Sequence, residues 1–294
     1  MRMTRKEYTV FARDYLLDLG RATKVMAIIN LTPDSFSGDG CFGKNGKVSQ
    51  KALRLAYRSI QGGADILDIG GESTRPFSKA ISVKEEMSRV IPTIKALAQR
   101  VKVPISVDTY KTRVAEEALD SGASIVNNIM GTKLNQGLLK MVRNYNAAIV
   151  LMHIRGTPQS MQKQTVYKNL IGEMTAALRK SIENCLEIGI KSDKIIIDPG
   201  IGFGKTVEQN LEIISRLKEF GVLNKPILIG TSRKSFIGKI LNNAVEDRLI
   251  GTVASVSASV LNGAHIVRVH DVSEVKGAVR LVDAILNRKI IDNR

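Results

Sequence analysis

KIIIDPGIGFGKTVEQNLEIISRLK, residues 194–218, holds one complete structural unit. Three isoleucines form a short β-branched run, Asp198 and Pro199 end it, and a glycine-rich turn follows. From Val207 to Lys218 the apolar residues Leu211, Ile214 and Leu217 then recur at helical spacing. A continuous apolar run this short reads as a strand buried on both faces. A strand that feeds a helix through a brief loop is the repeating unit of a parallel sheet.

Seven further runs of the same kind lie on either side. With KIIIDP (Lys194 to Pro199) they are VMAIIN (Val25 to Asn30), DILDIG (Asp65 to Gly70), PISVDT (Pro104 to Thr109), SIVNNI (Ser124 to Ile129), AIVLMH (Ala148 to His153), PILIGT (Pro226 to Thr231) and HIVRVHD (His265 to Asp271). Helical patterns separate them, such as Val83 to Gln99 with apolar Val83, Met87, Val90, Ile91, Ile94 and Leu97. Eight βα units predict an α/β fold closed into a (β/α)8 TIM barrel. A doubly wound open sheet is the alternative, because counting strands does not demonstrate closure.

The strands start apolar and finish polar, in Asn30, Asp68, Asp108, Asn127, His153, Asp198, Thr231, and Arg268 with His270. One such residue is ordinarily a helix cap or turn former. In a barrel all eight ends share the C-terminal face, where this fold carries its active sites.

The 294 residues fit a single domain, with 44% hydrophobic and 24% charged residues and no linker-like stretch. Residues 24–288 are assigned to the barrel and 1–23 to an N-terminal extension packing on it. Cys41 and Cys185 sit in no CxxC or Cys/His pattern, and MRMTRKEYTVFARDYLLDLG lacks the apolar core of a signal peptide, so a cytoplasmic location is expected. Nowhere does an apolar run reach the length of a membrane span. A net charge of +16 fits polyanionic ligands. With aromatics at only 4%, too few for a base-stacking surface, phosphate-bearing small molecules are favoured over nucleic acid.

Seven segments carry a resemblance. NLTPDSFS (Asn30 to Ser37), DIGGESTRP (Asp68 to Pro76), SVDTYK (Ser106 to Lys111), LMHIRGTPQSMQ (Leu151 to Gln162), DPGIGFGK (Asp198 to Lys205), GTSRKSFIG (Gly230 to Gly238) and GAHIVRVHDV (Gly263 to Val272) together resemble the dihydropteroate synthase family. The match covers roughly residues 24 to 285, with each motif at a strand end or in the loop after it. The resemblance implies that a pterin methyl diphosphate is condensed with 4-aminobenzoate and that pyrophosphate leaves. It also implies a usually dimeric enzyme.

It further implies the site. Asp108, Asn127 and Asp198 are the expected pterin contacts, with Lys234 donating to the pterin carbonyl and ring nitrogen. A guanidine-like pterin edge suits them, since adjacent N–H donors call for a buried carboxylate and an amide. Asp108, Lys234 and Arg75 are the expected catalytic residues. Thr74, Arg75, Arg268 and His270 are expected at the diphosphate; Arg268 and His270 alternate along the last strand and so share a face. Asn30 matches the family's metal position and would give Mg²⁺ one neutral oxygen, and such sparse protein ligation is normal for this ion. Thr74, Pro76, Phe203 and Ser235 correspond to the 4-aminobenzoate pocket. His153 reads as structural. One departure stands out: Asn127-Asn128 replaces the family's usual Asn-Asp.

Two superficial matches fail. Gly200 to Thr206 is not a P-loop, because the first glycine of GxxxxGK[ST] is replaced by Pro199, and its GxGxG spacing is not GxGxxG. A methyltetrahydrofolate-binding corrinoid methyltransferase is the alternative enzyme, but STRP, SRKS and RVHD belong to a diphosphate site it does not need. A non-catalytic pterin- or RNA-associated role predicts eroded loops, which this chain lacks. Glu246 to Asn262 offers a small-residue helix face that suits either a homodimer or packing within the barrel.

Overall fold

The computed structural model describes residues 5–32, 48–74, 78–133 and 135–289. Among these, eight parallel strands and their helices form the expected (β/α)8 barrel. The strands are β3 (Lys24–Asn30), β4 (Ile66–Gly70), β5 (Ile105–Asp108), β6 (Ile125–Asn128), β7 (Ala148–Met152), β8 (Ile195–Asp198), β9 (Leu228–Ile229) and β10 (Ile266–Val269). They are ordered β8-β7-β6-β5-β4-β3-β10-β9, and a bridge between Ile197 and Ile227 joins the two ends. β9 is shorter than its apolar run. Pro226 has no N–H to give the ladder, so its carbonyl alone serves β8, accepting from Ile197 N at 3.0 Å.

The described helices are α1 (Gln50–Gln61), α2 (Val83–Ala98), α3 (Thr112–Asp120), α4 (Gln136–Asn144), α5 (Leu170–Glu187), α6 (Val207–Ser215), α7 (Ser235–Leu241), α8 (Leu249–Leu261) and α9 (Val272–Asn287). α2 starts at the expected residue, where the Ser82 side chain accepts from Glu85 N. Helix α6 stops short of Lys218. From Leu217 to Leu223 the chain tightens into a 3-10 helix, whose three-residue repeat puts Leu217, Phe220 and Leu223 on one buried face.

The period-two side-chain alternation of the strands separates two cores. Val25, Ala27, Ile29, Leu67, Ile69, Val107, Ile149, Leu151, Ile195 and Ile197 face outward into the helix layer. Met26, Ile66, Ile125, Val150, Ile196, Leu228 and Ile266 face inward and fill the lower barrel.

The N-terminal segment closes that lower end. β1 (Tyr8–Ala12) and β2 (Tyr15–Leu19) pair antiparallel, and every second residue is turned up, so that Val10, Ala12, Leu17 and Leu19 join the inward-facing cluster. An ion pair staples the segment to α9: Arg5 Nη2 donates to Asp283 Oδ1 at 2.5 Å, and the same carboxylate accepts from Thr23 N and Thr23 Oγ1. No element is assigned here by the sequence reading, although the alternation is written in the residues.

Leu19 is 2% exposed at the centre of this seal. Leu19→Ala is expected to cost about 2–4 kcal/mol in urea unfolding, by lost burial and a partly relaxed cavity. A loss under about 1 kcal/mol would mean that the hairpin covers the barrel without contributing to its core.

Candidate active site

The upper barrel reverses the polarity of the lower. Moving two residues along each strand from the apolar floor leads from Ile66 to Asp68, from Ile125 to Asn127, from Ile196 to Asp198 and from Ile266 to Arg268. Register then places Asn30, Gly70, Asp108 and Asn127 side by side across β3 to β6. A Cβ built on Gly70 would stand 3.5 Å from Asp108 Cβ and 3.7 Å from Asn30 Oδ1. That glycine leaves a gap between two polar groups at the lip.

Arg268 organises the interior. Its Nε donates to Asp68 Oδ2 at 2.6 Å and its Nη2 to Asp108 Oδ2 at 2.7 Å, while Asn127 Nδ2 donates to Asp68 Oδ2 at 3.1 Å. Asp68 Oδ1 and Asp108 Oδ1 are buried acceptors with no hydrogen-bond partner among the described residues. Arg268 and His270 are turned to different neighbours: the Nδ1 of His270 lies 3.0 Å from Ser232 Oγ.

Asp198, from β8, accepts from Gly200 N at 2.7 Å. Lys234, just before α7, donates to Ile201 O and lies 4.4 Å from the centroid of the Phe203 ring. The glycine-rich loop thus brings Asp198, Phe203 and Lys234 together. Ser235, the first residue of α7, is exposed beside Lys234. Thr74 is half-buried at the edge of the described loop after β4. Arg75 and Pro76, both expected site residues, lie outside the described residues.

The charges press on one another. Burial pushes the Asp108 carboxyl up to about 7; Arg268 opposes the rise, while Asp68 and Glu86 add to it. Burial raises Asp198 as well, against the Gly200 amide and Lys234. The Lys234 ammonium is brought down to about 8 by burial; Asp198 pulls it back up and Arg268 drives it further down. Arg268 moves the other way: burial lowers it, but Asp68 and Asp108 prevail and hold its guanidinium above its usual range.

Several residues matter more than the sequence reading assigned. Asp68, named only as a polar strand end, is the hub of the interior network. Glu72 and Lys111 join two motifs: Lys111 Nζ donates to Glu72 Oε2 and to Glu86 Oε2, each at 2.6 Å, and Tyr110 OH donates to Glu72 Oε1. In this way Glu72, in the described part of the loop after β4, is tied to the SVDTYK loop and to α2. Lys205, quoted only as the end of the DPGIGFGK motif and within a failed P-loop match, is sequestered against His153. The signal available for all four was a charged residue inside a motif, without an obvious ligand.

Asn128 is accounted for locally. Its Oδ1 accepts from Met130 N at 2.9 Å, which is the bond a carboxylate would accept there. At 2% exposure the neutral amide does this without a buried charge.

No group of three or more His, Cys, Asp or Glu suited to a metal occurs among the described residues. Asn30 Oδ1 and the carboxylate oxygens of Asp108 are nevertheless hard donors at one lip, and they fit an ion that takes few protein ligands and keeps water or phosphate for the rest.

Comparison with known proteins agrees with this geometry. The pattern of the family described as pterin binding enzyme matches residues 26–270. Dihydropteroate synthase of Synechocystis is 45% identical over 271 residues, 92% of each chain. The Yersinia pestis dihydropteroate synthase in complex with a sulfonamide drug superposes with a TM-score of 0.89 at 39% identity, covering 95% of this chain and 99% of that one. The Xanthomonas albilineans enzyme with 4-aminobenzoic acid gives 0.85 at 33% identity, covering 95% and 98%. A barrel whose mouth gathers Asp108, Asn127, Asp198, Lys234 and Arg268, matched over nearly its whole length by such relatives, belongs to the pterin binding enzyme family, among its dihydropteroate synthases.

Proposed function

We propose that this barrel mouth joins (7,8-dihydropterin-6-yl)methyl diphosphate to 4-aminobenzoate, releasing 7,8-dihydropteroate and diphosphate as a transferase of folate biosynthesis. The observation that carries the reading is the convergence of buried carboxylates, an amide and a lysine at the top of an otherwise apolar barrel. A pterin edge of N–H donors would meet Asp198, Asn127 and the unpaired oxygen of Asp108. Lys234 would donate to the pterin's carbonyl and ring nitrogen.

The bond that breaks joins the exocyclic methylene carbon to the diphosphate oxygen, and the electron pair leaves with that oxygen. The bond that forms joins the same carbon to the arylamine nitrogen, which afterwards loses a proton. Asp198 and Asn127 hold the pterin so that its methylene faces the second substrate, and this restriction of orientation lowers the barrier. Phe203, with Thr74, Pro76 and Ser235, would flank the aromatic amine and shield the methylene from water. Arg75, Arg268 and His270 would hold the diphosphate, with Arg268 also keeping Asp68 and Asp108 compensated. Mg²⁺ at Asn30 would supply positive charge to the departing diphosphate when bound.

A coupled assay tests the reading directly. Pyrophosphate release should require the pterin diphosphate and 4-aminobenzoate together. Methyl transfer from methyltetrahydrofolate to a corrinoid protein, without pyrophosphate release, would instead favour the alternative enzyme.

A homodimer is part of the proposal. α8 carries no charged residue, and its face toward α6 and α7 is used within the barrel: a Cβ on Gly251 would strike the Ile237 side chain at 2.3 Å. Another side of α8 leaves Ile250 80% exposed, and the neighbouring α9 leaves Leu281 65% and Ile285 60% exposed. A cytoplasmic location is also part of the proposal, and cysteine usage is one support for it. Separately, no described helix is long and apolar enough to cross a membrane.

In Asp198→Asn, the oxygen that serves Gly200 N can remain, so the new amide nitrogen must face the pterin's own donors. The loss in kcat/KM should be roughly 30- to 1,000-fold, corresponding to about 2–4 kcal/mol of transition-state binding. Near-normal turnover in the folded variant would remove Asp198 from the site.

The pH dependence follows from two groups. Asp108 must be a carboxylate to accept, so binding is lost as pH falls through about 7. Lys234 must be an ammonium to donate, so binding is lost as pH rises through about 8. A plot of kcat/KM for the pterin diphosphate should therefore peak between these values. Lys234→Arg, whatever its absolute rate, should lose the alkaline limb. A flat wild-type profile between about pH 6 and 9 would contradict both assignments.

Sedimentation should show a dimer at micromolar concentration, converted to monomer by Ile250→Glu combined with Leu281→Glu. A monomeric wild type would refute the interface.

A further inference from the structure

The loop between β8 and α6 owes its shape to side chains. Five successive carbonyls each accept from one: Gly200 O from Lys205 at 2.9 Å, Ile201 O from Lys234, Gly202 O from Gln162 at 3.2 Å, Phe203 O from Lys205 at 2.8 Å and Gly204 O from Tyr167 at 3.2 Å. Positive φ angles at Gly200, Gly202 and Gly204 turn the backbone so that these oxygens can be reached. At Gly200 the turn is also a close approach, since a Cβ there would fall 2.1 Å from His153 O.

Lys205 differs from the other donors. It is 4% exposed, serves two of the five carbonyls, and has its Nζ 3.2 Å from His153 Nδ1 on the neighbouring loop. Among the described residues it makes no salt bridge to a carboxylate. His153 is kept neutral, well below its ordinary value, by burial and then by the Lys205 charge. Its Nδ1 is therefore free to act as an acceptor. Burying an ammonium against neutral acceptors is costly, and burial accordingly brings Lys205 down to about 7. An apolar residue could fill the same space without that cost, but it could not hold the carbonyls.

Taking the mouth as the synthase site, as above, we propose that Lys205 is a positioning residue for the aromatic amine: its buried Nζ fixes the backbone on both sides of Phe203, so that this ring and Asp198 face the barrel mouth together. Phe203 O is within its reach at 2.8 Å, and Gly200 O lies two residues beyond Asp198. Removing the ammonium leaves two buried carbonyls without this donor. The loop then relaxes and the ring drifts from its place over Lys234. The diphosphate side of the mouth, built on Arg268 and His270, is on other strands and is not touched by Lys205.

The test is to compare wild type, Lys205→Met and Lys205→Arg by steady-state kinetics in both substrates, and by calorimetry with pyrophosphate and Mg²⁺. Wild-type turnover is the control for the synthase reading itself; its absence would sink that reading and not this inference alone. Lys205→Met, which keeps the volume, should raise the KM for 4-aminobenzoate about tenfold or more, with kcat falling less and the Kd for pyrophosphate held within about twofold. Lys205→Arg keeps the charge but cannot place one nitrogen against all three acceptors, so its KM should lie in between, at least about threefold above wild type. Unchanged KM for 4-aminobenzoate in Lys205→Met, or equal losses for 4-aminobenzoate and pyrophosphate, would overturn the inference and leave Lys205 a residue of general stability. If Lys205→Met does not fold, Lys205→Arg decides by the same two comparisons.

Discussion

Everything at the mouth depends on one guanidinium. Arg268 holds Asp68 and Asp108 from the two sides of its fork, inside a barrel whose lower half is largely apolar. Two carboxylates so close to each other, with Asp198 beyond them, would repel and take up protons if left alone. A planar cation with diverging donors is suited to bridge them, because Nε and Nη2 reach one carboxylate each. Charges buried this way contribute little net stability, but removing one partner strands the others at a cost of about 3–5 kcal/mol. The triad is therefore fixed by what its loss would do. Asn127 and Lys234 take their positions around it.

The apolar lower barrel makes this possible. A mouth lined by ions has no packing energy of its own, so the stability has to come from elsewhere in the same molecule. It is found in the helix-facing core and in the floor that β1 and β2 seal from below. Stability and chemistry are thus stacked along the barrel axis. The crossover takes only two residues on each strand, the repeat that returns a side chain to the same face.

Around the rim, backbone that lacks a ladder is held by buried and half-buried side chains. Lys205, Lys234, Gln162 and Tyr167 hold the loop after β8. Glu72, Lys111 and Glu86 tie the loop after β4 to its neighbour and to α2. Both arrangements satisfy polar backbone or buried charge that helices and strands leave unpaired. They also explain why these motifs contain more charged residues than the two substrates require.

The sequence by itself determined a parallel sheet layered with helices. Eight apolar runs with polar ends, alternating with helical periodicity, required a parallel sheet covered on both faces, because runs of continuous β-branched residues cannot sit half in water. The resemblance carried by the motifs singled out Asp108, Asn127, Asp198, Lys234 and Arg268, which the fold gathers at one mouth. Three things were decided only by tertiary structure. Closure of the ring rests on the last strand pairing with the first, Ile266 to Val269 against Lys24 to Ala27 from opposite ends of the chain, and on the short bridge between Ile197 and Ile227, neither of which is legible in the runs themselves. The alternation of residues 8–19 acquired meaning only once the barrel offered an apolar floor for Val10, Leu17 and Leu19 to cover. The roles of Asp68, Lys111 and Lys205 depended on partners up to 200 residues away, as between Arg268 and Asp68. A residue type states which bonds it can make, but which bond it makes is set by what the fold brings within about 3 Å of it.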